Sequence, residues 1–253
     1  MAGHNKWSSI KHKKGAADAK RGKVFSRISK EIIMAAKEGG ADPELNARLR
    51  SAITAAKNAN MPNDNVERAI KKGSGSGGGA QMELLSYEGY AAGGVAVIVN
   101  CLSDNRNRTA SDIRAFFTKH NCSMANSGAV SWKFHRKAKF VVEGENADEE
   151  KLFELLLEGG ADLEDIVVED DYAEIIAPAN AFGDILKILE AANINAADSS
   201  IAMIPENMTV VDDINLARQV QKFIEVLEDY EDAQEVFTDI EISDQVAEQL
   251  AED

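Results

Sequence analysis

The sequence predicts an α+β protein: an N-terminal three-helix domain with a basic arm, followed by two ferredoxin-like α/β domains, one inserted in the other. Three observations predict this arrangement. Apolar residues recur at helical spacing across residues 23–72, and a Gly/Ser-rich linker follows at 73–80. The remaining chain alternates between strand and helix patterns. At 253 residues with 44% hydrophobic content, it is long enough for two or three domains.

The helical domain is predicted from apolar spacing and from helix start and stop signals. A first helix is expected from about Val24 to Glu38, where a glycine pair ends it. Asp42 is a suitable N-cap for a second helix, and Asp64 for a third. The apolar stripes are short and rich in alanine, so we expect a thin core of modest stability. A helix-turn-helix is disfavoured because the connection at 58–64 is longer than that motif uses.

The α/β region is predicted as two nested units. The outer one is a split domain of residues 81–136 and 205–253, and the inner one is a ferredoxin-like domain of residues 137–204. Within the split domain, the sequence predicts one strand at 129–134 and another at 208–211. Together with their neighbours these strands repeat the order β-α-β-β-α-β. The alternative is a single open sheet of about six to eight strands, and strand order distinguishes the two.

The N-terminal stretch His4 to Lys30 carries nine Lys and Arg and a single acid, Asp18. Glycines interrupt its first part, so residues 1–22 are predicted to be a basic arm. Its cations can neutralise phosphates, and its rings can stack on an unpaired base. A basic arm can also coat acidic protein surfaces or increase solubility. The predicted nucleic-acid-binding residues are Lys6, Trp7, Lys11, His12, Lys13, Lys14, Lys20, Arg21, Lys23, Arg27 and Lys30.

The charge distribution is strongly asymmetric. The net charge of −15 combines +9 in residues 1–72 with −24 in residues 73–253. An acidic body repels nucleic acid, so we expect a nucleic-acid partner to contact the N-terminal third. The same acidic body could attract a basic partner such as a ribosomal protein.

A second candidate anion site follows the predicted strand at 95–101. Arg106, Arg108 and Thr109 lie where a helix begins, and arginines at a helix N-terminus can bind phosphate. The structural alternative is that these residues form the turn and cap, with both arginines paired to nearby acids. Tyr87 and Tyr90 lie nearby in sequence and could either stack on a base or pack in the core.

Several function classes are disfavoured by what the sequence does not contain. No apolar run approaches the roughly 20 residues of a membrane span, and the N-terminus lacks the apolar centre of a signal peptide. We therefore expect a cytoplasmic protein without membrane contact and with reduced thiols at Cys101 and Cys122. No metal-ligand spacing or nucleophile motif occurs, so neither a cofactor nor enzymatic activity is expected. The oligomeric state is left open.

Five segments in order resemble the YebC/PmpR family along the whole chain. They are HNKWSSIKHKKGAADAKRGKVFS, GGADPELNARLRSAITAAKNANMPNDNVERAIKKGSG, SYEGYAAGGVAVIV, SDNRNRT and LEDYEDAQEVF. This resemblance implies a probable transcriptional regulatory protein that binds DNA. Mitochondrial relatives and some bacterial members of that family are described instead as translational activators acting on the ribosome. The resemblance therefore implies a nucleic-acid partner, either DNA or rRNA of the ribosome.

Overall fold

The computed structural model describes residues 21–75, 82–169 and 172–251. Within these ranges three helices precede two four-stranded antiparallel sheets, which confirms the predicted fold class. In chain order the elements are α1 (Arg21–Gly39), α2 (Ala47–Asn58), α3 (Asn63–Gly73), β1 (Glu83–Tyr90), β2 (Ala96–Ser103), α4 (Arg106–Lys119), β3 (Ser123–Ala125), β4 (Phe134–Glu143), α5 (Glu149–Glu158), β5 (Asp165–Glu169), β6 (Tyr172–Pro178), α6 (Phe182–Ala191), β7 (Asp198–Pro205), β8 (Thr209–Val211), α7 (Ile214–Asp229), β9 (Ala233–Thr238), β10 (Ile240–Ile242) and α8 (Asp244–Ala251).

The three N-terminal helices pack around a small core of alanine, isoleucine and methionine side chains, which Leu102 of β2 extends. The N-cap of α2 is Asn46 rather than the predicted Asp42, because the Asn46 side chain accepts a hydrogen bond from Leu49 N at 3.0 Å. Its amide nitrogen also donates to the carbonyl oxygens of Ala35 and Gly40, each at 2.8 Å. One buried asparagine therefore closes the end of α1 and begins α2.

The first sheet has the strand order β3-β1-β2-β9, with every neighbouring pair antiparallel. Strand β1 is absent from the predicted elements, yet it occupies a central position in this sheet. The predicted strand at 208–211 exists as β8, but it pairs in parallel with β10 in a separate two-stranded sheet. We call β1, β2, β3 and β9 with α4 and α7 the split unit.

The predicted strand at 129–134 is wrong. Its place in the sheet is taken by β3, and the chain forms a short 3-10 turn at Ser131–Lys133 before β4. The reason lies in Glu88, whose buried carboxylate accepts hydrogen bonds from the backbone N–H groups of Gly128, Val130 and Ser131 at 2.7, 2.7 and 2.9 Å. A strand ladder would need the same N–H groups as donors.

The second sheet has the order β5-β6-β4-β7, which is the ferredoxin-like arrangement of two β-α-β units. Helices α5 and α6 cover it and contribute Leu152, Leu156, Ile185 and Leu189 to its core. We call β4 to β7 with α5 and α6 the inserted unit. Among the described residues, no helix combines the length and the apolar composition that crossing a bilayer requires.

The inserted unit is attached to the split unit at a buried carboxylate. Asp239, fully buried, accepts hydrogen bonds from Lys133 Nζ at 3.1 Å and from Thr209 Oγ1 at 3.0 Å through Oδ2. Its Oδ1 accepts from Ala96 N at 2.7 Å. Lys133 precedes β4 and Thr209 follows β7, so one side chain holds both connections of the inserted unit against the first sheet.

Candidate nucleic-acid interface

Most of the predicted basic arm lies outside the described residues. This applies to Lys6, Trp7, Lys11, His12, Lys13, Lys14 and Lys20. Arg21 and Lys23 belong to the first turn of α1, which begins about one turn earlier than predicted. The remaining two predicted nucleic-acid-binding residues, Arg27 and Lys30, lie further along the same helix.

Helix α1 carries a row of cations that continues past the predicted set. Arg27, Lys30 and Lys37 are spaced by three and seven residues, which places them on one side of the helix. Arg27 and Lys37 are exposed, and Lys37 Nζ donates to the carbonyl oxygen of Met82 at 2.6 Å. Lys37 is not in the predicted set, which ends at Lys30. Its spacing from Lys30 was the available signal.

Lys30 is half-buried and faces the split unit. Its ammonium nitrogen is shielded from solvent, with no hydrogen-bond acceptor among the described residues. Burial lowers the pKa of Lys30, while the negative charges of Asp232 and Glu231 oppose that shift. Lys30 also interacts electrostatically with Arg108. The cationic side of α1 therefore lies beside the start of α4.

At the start of α4, Arg108 and Thr109 are engaged within the fold. Arg108 Nη2 donates to Asp232 Oδ2 at 2.8 Å and to Asp104 Oδ1 at 3.3 Å. Thr109 is buried, and its hydroxyl donates to Asp232 Oδ2 at 2.9 Å. Asn105 caps the helix by accepting from Arg108 N at 3.1 Å. The turn-and-cap alternative thus describes these two residues.

The Asp232 carboxylate is the electrostatic centre of this turn. Burial alone would raise its pKa, but hydrogen bonds from Arg108, Thr109 and Ser103 outweigh burial and lower the pKa of Asp232. The hydrogen bond and negative charge of Asp232 in turn raise the pKa of Arg108 above its usual value. The pair is therefore charged throughout the physiological range, and Asp232 already neutralises Arg108.

Arg106 has a different position from Arg108. It lines a cleft of about 440 Å³ together with residues of β1 and of α1. The cleft is bordered by Lys37, Glu83, Leu84, Leu85, Ser86, Tyr87 and Arg106. Two cations from different helices, Lys37 of α1 and Arg106 of α4, therefore line the same cleft. The cleft lies beside the cationic side of α1.

The cleft runs along an open edge of the first sheet. Strand β3 pairs with β1 only at Glu88–Tyr90. Among the described residues, no strand pairs with Glu83–Tyr87 on the side away from β2. Backbone donors and acceptors at this edge can bind a ligand.

The two candidate tyrosines differ in their surroundings. Tyr87 lines the cleft and also packs against the core of the split unit. Its hydroxyl is buried without a hydrogen-bond partner among the described residues, and burial raises the pKa of Tyr87. Tyr90 donates from its hydroxyl to Ala129 O at 3.3 Å, which is a structural role.

Neither cysteine forms a disulfide, and Cys101 is buried. Cys101 and Cys122 are free thiols, and burial raises the pKa of Cys101 to about 12, so it stays protonated at neutral pH. Within the described ranges, no group of three or more His, Cys, Asp or Glu side chains converges as a metal site. We call the cleft lined by Lys37 and Arg106 the cationic cleft.

Comparison with known proteins matches the chain along nearly its whole length. A family model described as "TACO1/YebC protein N-terminal domain" matches residues 5–76, and one described as "TACO1/YebC second and third domain" matches residues 82–240. A probable transcriptional regulatory protein of Desulfosudis oleivorans is 49% identical over 248 residues, covering 98% of this chain and 100% of the relative. A similarly named protein of Geobacter sulfurreducens is 49% identical over 250 residues, covering 99% of this chain and 100% of the relative.

A solved structure also resembles this fold. The crystal structure of the conserved hypothetical protein Aq1575 from Aquifex aeolicus superposes with a TM-score of 0.82 at 41% sequence identity. The match covers 90% of this chain and 93% of that one.

Proposed function

The chain belongs to the TACO1/YebC family, and we propose that it is a nucleic-acid-binding transcriptional regulator that binds DNA. The names of its relatives support this role, since those from Desulfosudis and Geobacter are called probable transcriptional regulatory proteins. These relatives are bacterial, and bacterial DNA lies in the cytoplasm, so the proposal includes a cytoplasmic location. It includes no catalytic step.

The main observation in support of the proposal is that Lys37 and Arg106 line the same cleft. Phosphates attract clustered Lys and Arg because binding releases condensed counterions. Arg27 on the same side of α1 extends the positive surface toward the N-terminus, where five further lysines precede the helix. DNA lying along α1 would contact these cations in sequence.

Charge limits where the DNA can lie. The net charge of −24 on residues 73–253 repels a polyanion. The duplex is therefore held against the N-terminal residues 1–72. Arg108 contributes little there because Asp232 neutralises it. In this proposal, Arg106 is the cation by which the split unit touches DNA.

Duplex binding measured by fluorescence anisotropy at several salt concentrations tests the proposal. Changing Lys37→Gln or Arg106→Gln should weaken binding and reduce the slope of log affinity against log salt by about one unit each. Lys187→Gln is the matched control, since Lys187 is an exposed lysine of the inserted unit paired with Asp184 at 3.6 Å. It should leave both affinity and slope unchanged.

The competing role is a translation factor that places the same cations among rRNA phosphates. Sedimentation of the protein with ribosomal particles at low salt distinguishes the two. If it travels with ribosomes and Lys37→Gln releases it, while unrelated DNA duplexes bind weakly and alike, the DNA proposal is wrong. If it stays at the top of the gradient and retains duplex binding, the ribosomal role is wrong.

A further inference from the structure

Helix α5 of the inserted unit has a buried apolar side and a second apolar side that faces outward. Leu152 and Leu156 are buried in the core of the second sheet. The residues that follow each of them, Phe153 and Leu157, have 50% and 64% of their surface exposed. Because they are four residues apart on the helix, their side chains lie one above the other. They form an apolar strip on the outer surface.

Acidic side chains lie at one end of this strip and along one side of it. Glu149, Glu150, Glu154 and Glu158 are the exposed glutamates of the helix. Glu149 shares the row of Phe153 and Leu157, and the other three form the adjacent row. The single lysine of α5, Lys151, is paired with Asp148 at 3.0 Å.

The inserted unit as a whole is acidic. Residues 134–205 contain 17 Asp and Glu, four Lys and one Arg, which gives −12. Two of the four lysines are further neutralised by neighbours, Lys137 by Glu164 and Lys139 by Glu174. Nucleic acid and anionic lipid are therefore repelled from this surface, and so is the same surface of a second copy.

We propose that the strip of Phe153 and Leu157 is a docking surface for a basic amphipathic segment of a partner protein. Exposure of two large apolar side chains is unfavourable in water, and they can pack against the apolar side of an amphipathic segment. The adjacent row of glutamates favours a positively charged segment. Lys or Arg beside the apolar residues of that segment would face Glu150, Glu154 and Glu158. This surface is separate from the cationic cleft.

A synthetic helical peptide with Leu at every third or fourth position and Lys elsewhere is the probe. Isothermal calorimetry with the full chain should show binding that weakens as salt rises. The double change Phe153→Gln and Leu157→Gln should weaken it by about tenfold or more, and so should the triple change of Glu150, Glu154 and Glu158 to Gln. The triple variant should also lose most of the salt dependence.

Controls separate docking from folding and from DNA binding. Leu45→Gln is the matched control, because Leu45 is an apolar side chain with 85% exposure in the helical domain. It should bind the peptide as the unchanged protein does, and all variants should keep their unfolding transition and duplex affinity. The same Leu spacing with Glu in place of Lys should not bind.

Three results would overturn the inference. The first is that the basic peptide does not bind, and the second is that it binds the Phe153 and Leu157 double variant as tightly as the unchanged protein. The third is that the protein self-associates and this association is lost in the double variant, which would assign the strip to a second copy. None of these results bears on duplex binding by Lys37 and Arg106, which is measured separately.

Discussion

Oδ2 of Asp232 accepts a hydrogen bond of 2.8 Å from Nη2 of Arg108, and this contact fastens the start of α4 to the residue before β9. The same oxygen accepts from Ser103 and Thr109 at 3.0 and 2.9 Å. The hydroxyl of Tyr230 donates its one hydrogen to Asp112 Oδ2 at 2.9 Å, and its oxygen lies 3.2 Å from the Asp232 oxygen. Three donors, one at the end of β2 and two at the start of α4, thus converge on one carboxylate oxygen.

Changing Asp232→Asn should therefore lower the stability of the protein. An amide keeps the shape but loses the charge, and its own N–H donors would face other donors. We expect the free energy of unfolding to fall by about 2 to 3 kcal/mol. Urea denaturation measures this. The exposed carboxylate of Asp104, which also pairs with Arg108, is the control, and Asp104→Asn should change little. Equal effects of the two changes would contradict this account.

The carboxylate of Glu88 predicts an acid-sensitive step in stability. Burial would raise its pKa, but three backbone N–H donors outweigh burial and lower the pKa of Glu88. The folded protein therefore binds a proton less readily than the unfolded chain, whose Glu titrates near pH ~4.3. Its contribution is complete above that pH and is lost as pH falls through the lower folded pKa.

Glu88→Gln should lower stability at pH 7 and flatten the loss of stability below pH ~4.3. Denaturation at a series of pH values measures both. The exposed Glu83 of the same strand provides the comparison, because Glu83→Gln should change the stability at pH 7 little. A Glu88→Gln protein that retains the full acid sensitivity of the unchanged chain would show that other groups cause it.

Gly89 should not tolerate a larger residue. A Cβ there would overlap the ring of Phe117 and the carbonyl oxygen of Ser123. Gly89→Ala is expected to reduce the free energy of unfolding by about 2 kcal/mol or more, since both neighbours are fixed by packing. Gly183→Ala is the control. Its Cβ would meet only Ala47 at 3.6 Å, and alanine favours the helix. Thermal unfolding should separate the two clearly.

Substitutions of Tyr87 show whether its ring packs in the core only or also stacks on a base of the bound DNA. Tyr87→Phe removes a buried hydroxyl that has no hydrogen-bond partner among the described residues, so stability should rise by about 1 kcal/mol. Duplex affinity should not change. Tyr87→Ala should lose stability, and it should lose affinity only if the ring stacks on a base. Thermal unfolding and anisotropy on the same samples provide both values.

Much of the fold could be predicted because local signals determine it. The helices α1 to α3 follow from apolar spacing, and the order of the inserted unit follows from alternating strand and helix patterns. The cap of α2 could not be placed correctly, because Asp42 and Asn46 are both suitable cap residues. Only tertiary contacts from Asn46 to Ala35 and Gly40 distinguish them.

The wrong strand prediction in the split unit has its cause in tertiary contacts. The segment 129–134 has the pattern of a strand, but Glu88, about forty residues earlier, holds its N–H groups in a turn. For the same reason, the site could be predicted only in part. Arg106 and Arg108 look equivalent in sequence, and only the position of Asp232 separates the neutralised arginine from the one at the cleft.

In the proposed function, the N-terminal cations bind a polyanion while the acidic remainder of the chain stays away from it. The most direct test is duplex binding by a protein in which Lys11, Lys13, Lys14, Lys20 and Arg21 are all changed to Gln. With the fold intact by circular dichroism, affinity should fall on the order of 100-fold or more and the salt slope should decrease. Unchanged affinity and slope in this variant would contradict the account.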